Sequence, residues 1–128
     1  VMLARTIEEV FAEHLRLRQE ARLEQDLRRN YAHDVVLMCS TGILRGYEGV
    51  RYSAQRLRDQ LPSAKFEFVT CLVADGCAFL EWRAASDRFV VRDGADSFVF
   101  RDGKIAVQTI HYTLSTRTSD GAAADAKP

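Results

Sequence analysis

The chain has 128 residues, 47% hydrophobic and 28% charged, with 18 Lys and Arg against 18 Asp and Glu. That length fits one domain and suffices to bury a core without disulfides or a structural metal. Zero formal net charge supplies neither the basic field that nucleic-acid binding needs nor an acidic tail, and no apolar run approaches the ~20 residues of a membrane helix.

Apolar residues recur at helical spacing from Leu3 to Leu17, through Ile7, Val10 and Phe11, which predicts a first helix. Thr6 with Glu9 three residues on forms a capping-box signature, so the regular helix is expected to begin there. His14 falls on the same stripe. A second helix is predicted from Leu23 to Tyr31, with Leu23, Leu27 and Tyr31 on one face and "AHD" breaking it. "VVLMC" (Val35 to Cys39) reads as a strand, "STG" as a turn and "ILRG" as a short return strand. A third helix is expected from Glu48 to Leu61, ended by Pro62.

After Pro62 come four strand-like runs, "KFEFVTCLVAD", "CAFLEWRAAS", "RFVVRDGADSFVF" and "KIAVQTIHYTL". Asp-Gly tolerates positive φ at both central turn positions and favours tight hairpins. Asp75-Gly76 and Asp102-Gly103 fit that role. Asp93-Gly94 lies inside a run and reads as a bulge or a sharp bend. The segment "STRTSDGAAADAKP" has little to bury and is expected to be loose or to lie on the surface. The expected division is one domain over 1–116 and a polar tail over 117–128. Cys39, Cys71 and Cys77 are odd in number and lack metal spacing, so they read as free thiols. The N-terminal stretch is polar and amphipathic rather than signal-like. A cytoplasmic protein is expected. Helices first, then an antiparallel meander, predict an α+β domain with helices packed on one face of a sheet. A long strand that bends lets the sheet curl around them into a half-open cone.

"YAHDVVLMCSTGILRGYEGVR", "FLEWRAAS", "GADSFVFRDGKI" and "QTIHYTL" together resemble SnoaL-like proteins of the NTF2-like superfamily, over nearly the whole chain to Leu114. The resemblance implies a cone-shaped α+β barrel with an internal pocket, and a homodimer paired through the outer sheet face. It also implies ketosteroid isomerase, polyketide cyclase, epoxide hydrolase or dehydratase relatives, beside members with no known activity. Similarity to the isomerases places Asp96 at the acid of their oxyanion hole and Tyr31 at a pocket-side tyrosine. Their base falls near Cys39, and their first-helix tyrosine at Leu15 or, one step away, His14. That catalytic set is broken here. Similarity to the epoxide hydrolases covers Glu81, Arg83 and Asp96, but their second acid falls at Ile110.

Strand alternation sorts the candidates. If Phe98 and Phe100 face inward, so does Asp96, and burial would raise its pKa. His14, on an apolar stripe, is either an acid or base near neutral pH or a core histidine with one satisfied hydrogen bond. Glu81 and Arg83 share a face with Phe79; with Phe79 inward they reach the pocket mouth and Trp82 faces out, while the opposite register buries Trp82. Glu81 and Arg83 read as ligand contacts or as an ion pair. In the last strand two faces compete, Gln108, Ile110, Tyr112 and Leu114 against Val107, Thr109, His111 and Thr113; similarity to the isomerases implies Gln108, Ile110 and Tyr112 inward and His111 outward, and a bulge would swap these roles. His33, beside Asp34, reads as a turn residue. His14, His111, Glu81 and Asp96 follow no metal-ligand motif, and no cofactor motif is present, so neither metal nor cofactor is expected.

The reading is a pocket for a small apolar organic ligand, with cofactor-free isomerase, cyclase or dehydratase chemistry as one outcome. His14 and Asp96 are the expected catalytic pair; Tyr31, Glu81, Arg83, Gln108 and Tyr112 are the expected ligand contacts. The alternative is a non-catalytic ligand-binding or dimerisation module.

Overall fold

A computed structural model of the chain describes residues 4–117. Three helices, α1 (Ile7–Gln19), α2 (Leu23–Asn30) and α3 (Gly46–Gln60), pack against a seven-stranded sheet. The strands are β1 (Tyr31–Cys39), β2 (Gly42–Arg45), β3 (Lys65–Ala74), β4 (Cys77–Ala85), β5 (Phe89–Arg101), β6 (Lys104–His111) and β7 (Ser115–Thr116). Their order is β2-β1-β6-β5-β4-β3, with β7 added to β5. Only β1 and β6 run parallel; the other pairs are antiparallel. The sheet is mixed, curved and unclosed, as an α+β cone requires.

Local chemistry sets most boundaries. Thr6 caps α1: its hydroxyl accepts from the Glu9 amide at 3.1 Å, and the Glu9 carboxylate accepts from the Thr6 amide at 2.8 Å. The cap satisfies two donors that the first turn leaves unpaired. Asp75-Gly76 and Asp102-Gly103 are two-residue hairpin loops between Ala74 and Cys77 and between Arg101 and Lys104. All four loop residues have positive φ, between 51° and 77°, as a turn matching the right-handed strand twist demands.

Two expectations change and one is narrowed. The helical pattern ends where expected, but "AHD" is not a turn: β1 starts at Tyr31 and includes His33, which stacks on Tyr47 with centroids 4.8 Å apart. Of the two readings of Asp93-Gly94 the bulge holds, because Trp82 pairs Gly94 while Ala84 pairs Val91. Ser115 and Thr116 are not loose. They pair with Val90 and Phe89, and Arg117 donates backbone and side-chain hydrogen bonds to the Arg88 and Ser86 carbonyls, each at 2.8 Å. The rest of the expected tail lies outside the described residues.

The register of β4 decides what the sheet presents to its interior. Ala78, Leu80, Trp82 and Ala84 are buried, while Glu81 and Arg83 are exposed. Trp82 lies over Gly94, where a Cβ would sit 2.3 Å from the indole. Only a residue without Cβ allows that approach, so the bulge glycine and the inward tryptophan belong to one arrangement.

Candidate functional site

The inner face of the sheet and helices α1 and α3 enclose a cavity of about 640 Å³, a size typical of small-molecule sites. Its wall is mostly apolar, from Leu37, Val50, Ala54, Leu61, Leu80 and Ile110. Four of the polar residues on that wall are buried: His14, Tyr31, Asp96 and Gln108.

Asp96 faces inward on β5, two residues before Phe98, as strand alternation requires. One of its oxygens accepts the Trp82 indole N–H at 2.9 Å and the other accepts the Gln108 amide at 3.1 Å. The Gln108 carbonyl accepts the Tyr31 hydroxyl at 2.5 Å. Tyr31, Gln108 and Trp82 therefore form a chain of donors that ends on one carboxylate. Burial pushes the Asp96 pKa up to about 6 against the pull of the two N–H donors, which places the group near the value suited to proton transfer at neutral pH. Burial also holds the Tyr31 hydroxyl protonated, far above its usual range.

His14 faces the same cavity from α1, with its ring edge-on to Tyr31 at 5.6 Å and to Phe98 at 5.3 Å. Its Nδ1 lies 2.7 Å from Asp26 Oδ2. Asp26 is fully buried, and its other oxygen accepts the Asn30 amide at 2.8 Å. Arg5 in turn donates to Asn30 Oδ1 at 2.8 Å, so the amide of Asn30 must point at Asp26. With Asp26 as carboxylate, Nδ1–H is the donor and Nε2 is left as the free nitrogen. Among the described residues no buried side-chain N or O lacks a partner. Nε2 has none among the described residues, and His14 lines the cavity, so Nε2 is reached from there.

Of the expected residues, His14, Tyr31, Asp96 and Gln108 share this cavity. Glu81 and Arg83 do not. They lie on the exposed outer face of β4, and the Glu81 carboxylate accepts the Thr70 hydroxyl at 2.7 Å. Of the two registers the sequence leaves open, Phe79 faces out and Trp82 faces in, with Asp96 as its partner, which removes Glu81 and Arg83 as ligand contacts. A buried Trp82 also takes no part in any contact made through the outer sheet face. Tyr112 also misses the main cavity. Its ring stands 5.6 Å from Trp82, its hydroxyl donates to Gln60, and it lines a smaller neighbouring cavity of about 200 Å³. His111 is exposed on the outer face. Cys39, at the expected position of a base, lines only the smaller cavity and bonds Thr41.

Sequence reasoning missed Asp26, Asn30 and Trp82. A signal for the first two was present: Asp26 is three residues after Leu23 and Asn30 three after Leu27, so both border the apolar stripe of α2. Among the described residues, no three His, Cys, Asp or Glu side chains converge on a point that could hold a metal ion.

Solved structures share this architecture. An NTF2-like protein of unknown function from Cytophaga hutchinsonii superposes with a TM-score of 0.70 at 9% identity, over 88% of this chain and 95% of that one. A SnoaL-like protein of unknown function from Burkholderia thailandensis gives 0.67 at 19% identity, over 88% and 99%. A protein from Mesorhizobium loti, provisionally named a SnoaL-like polyketide cyclase, gives 0.61 at 15% identity, over 84% and 100%. At these identities the likeness is one of fold. No curated protein sequence matches. The SnoaL-like domain model matches residues 6–108, from the cap of α1 to the cavity glutamine of β6; the chain belongs to the SnoaL-like family, with an NTF2-like fold.

Proposed function

We propose that the chain binds a small, mostly apolar organic molecule in the main cavity and moves a proton on it without a cofactor, as an isomerase, cyclase or dehydratase does. The observation that carries this reading is the pairing of two proton carriers on one apolar cavity: His14, held through Nδ1 by Asp26, and Asp96, buried and held by two N–H donors. One group takes a proton from carbon while the other supplies one to oxygen, and the low dielectric of the wall strengthens both interactions. Asp96 suits the base when ionised. When protonated it donates to a developing enolate instead. Tyr31 and Gln108 orient the carboxylate, and Trp82 fixes it from the opposite side. Asp26 is a positioning residue, since it acts through His14.

Solvent exchange tests the reading without a known substrate. Ketones that raise the melting temperature of the protein are incubated with it in D₂O, and deuterium uptake next to the carbonyl is followed by NMR. We expect the wild type to catalyse uptake, and Asp96→Asn and His14→Asn each to slow it by roughly 10²–10⁴-fold. Stabilising ligands that gain no deuterium would leave a binding protein, not a catalyst.

A second role is supported by the outer face of the sheet, where Met38, Ile43, Leu72 and Val99 are exposed and Phe79 and Val107 are half-buried between them. We infer that this face pairs two copies of the chain.

A further inference from the structure

The cavity is electrically lopsided. Its buried end carries Asp96, the only carboxylate on the wall among the described residues. Its exposed end carries cations: Arg58 and Lys65 are exposed, Arg18 is half-buried, and all three line the cavity. The chain as a whole balances its charges, and other arginines, such as Arg5, Arg16, Arg29 and Arg51, sit in ion pairs. The mouth is different. Neither Arg18 nor Lys65 has a side-chain hydrogen bond or ion pair among the described residues, and Arg58 donates only to the neutral carbonyl of Gln55, at 2.6 Å. Arg18 and Arg58 stand in the last turns of α1 and α3, where a helix dipole favours cations. That accounts for two of them. It does not account for Lys65, the first residue of β3, nor for the convergence of all three on one opening.

We propose that the cavity takes an amphipathic organic anion. Its apolar body fills the aliphatic wall. Its carboxylate, or a comparable acidic oxygen group, stays at the mouth against Arg18, Arg58 and Lys65. Its far end, bearing a carbonyl or hydroxyl oxygen, reaches His14 and Asp96. The proposal rests on the reading of this cavity as a ligand site and adds direction to it. A neutral apolar molecule can enter either way round. A fixed anion determines which end meets the proton carriers, and a patch of one sign at the opening steers the ligand in.

A matched pair of probes tests this. Anilinonaphthalene sulfonate and phenylnaphthylamine share a ring system and differ by the sulfonate. Trp82 is the single tryptophan of the chain and lines the cavity, so its emission reports occupancy directly. We expect both probes to quench it, with the sulfonate bound roughly tenfold more tightly at low salt. That advantage should shrink as ionic strength rises from about 0.01 M to about 0.15 M. The double variant Arg18→Gln, Lys65→Gln should lose roughly five- to tenfold in sulfonate affinity and keep its affinity for the neutral amine. Neither residue has a hydrogen bond or ion pair to lose among the described residues, Arg18 acting on Asp96 only through its charge, and melting temperatures confirm the fold; Lys65→Gln alone should show part of the same loss. Equal affinities for the two probes, or equal losses for both in the variant, would overturn the anion and leave the ligand cavity standing. If neither probe alters Trp82 emission, the ligand-cavity reading falls as well.

Discussion

Asp96 is held between two opposed forces. Burial favours its neutral form, while the N–H groups of Trp82 and Gln108 favour the carboxylate; burial wins, and the pKa rises from the ordinary 3.8 to about 6. The folded protein therefore binds this proton more tightly than the unfolded chain does. Stability from that proton is fully present below about pH 4 and is lost as pH rises through 6. The difference is about 3 kcal/mol in order of magnitude. Other carboxylates titrate in the same window, so the informative quantity is the difference from Asp96→Asn. The asparagine turns an N–H toward one of the two donors, which costs stability at every pH but adds no slope. Urea unfolding at pH 4 and pH 7 should show the variant gaining on the wild type as pH rises, by up to about 3 kcal/mol. Parallel stabilities at the two pH values would mean that Asp96 titrates normally.

Elements show which parts of the site a sequence can declare. Helical spacing placed His14 inward because α1 is long and amphipathic, and alternation placed Asp96 inward because Phe98 and Phe100 share its face; both faces of β6 are mixed, so Gln108 was placed inward only by likeness to the isomerases. Capping and hairpin residues were equally direct, since Thr6, Asp75-Gly76 and Asp102-Gly103 act within a few residues of themselves. Asp26 was hidden because α2 is short and charged, and its partner His14 is 12 residues away on another helix. The β4 register was hidden for a different reason. Both faces of "CAFLEW" carry an aromatic, so alternation alone does not choose between Phe79 and Trp82. The choice is made across the strand pair, by the bulge that sets Gly94 beneath the indole. Gly94→Ala tests that dependence. Its Cβ would meet the ring at 2.3 Å, well inside contact distance, so the indole must move away from Asp96. We expect a loss of about 1–3 kcal/mol from overpacking and a shift in Trp82 emission as its hydrogen bond breaks. An unshifted spectrum with unchanged stability would mean that the register does not depend on the glycine.

The proposed pairing of two copies rests on the face of the sheet that the helices leave bare. Leu72, Phe79, Ser97, Thr109, Met38 and Ile43 are successive cross-strand partners from β3 to β2, and form one row across the outer surface. A second row runs from Ala74 through Cys77, Val99 and Val107 to Val36. Leu72 is 59% exposed, Val99 44% and Ile43 61%. Single exposed apolar residues are ordinary, but a contiguous apolar surface marks an interaction site. The face is broad, mixes apolar residues with Ser97, Thr109, Glu81 and Arg83, and has no covering helix among the described residues, so the proposed occupant is a second copy related by a two-fold axis. This pairing leaves the cavity untouched, because the cavity opens on the opposite side of the sheet between α1, α3 and the start of β3. Replacing Leu72 and Val99 together by Asp sets charges into the middle of the proposed contact while disturbing little in the monomer, since exposed positions usually change stability by only about 0.5 kcal/mol. Light scattering coupled to size exclusion should report a dimer for the wild type and a monomer for the double variant. The variant should keep its Trp82 emission and its binding of the naphthalene probes. A wild type that is monomeric at tens of micromolar, or a double variant that remains dimeric, would remove the outer face as the site of pairing.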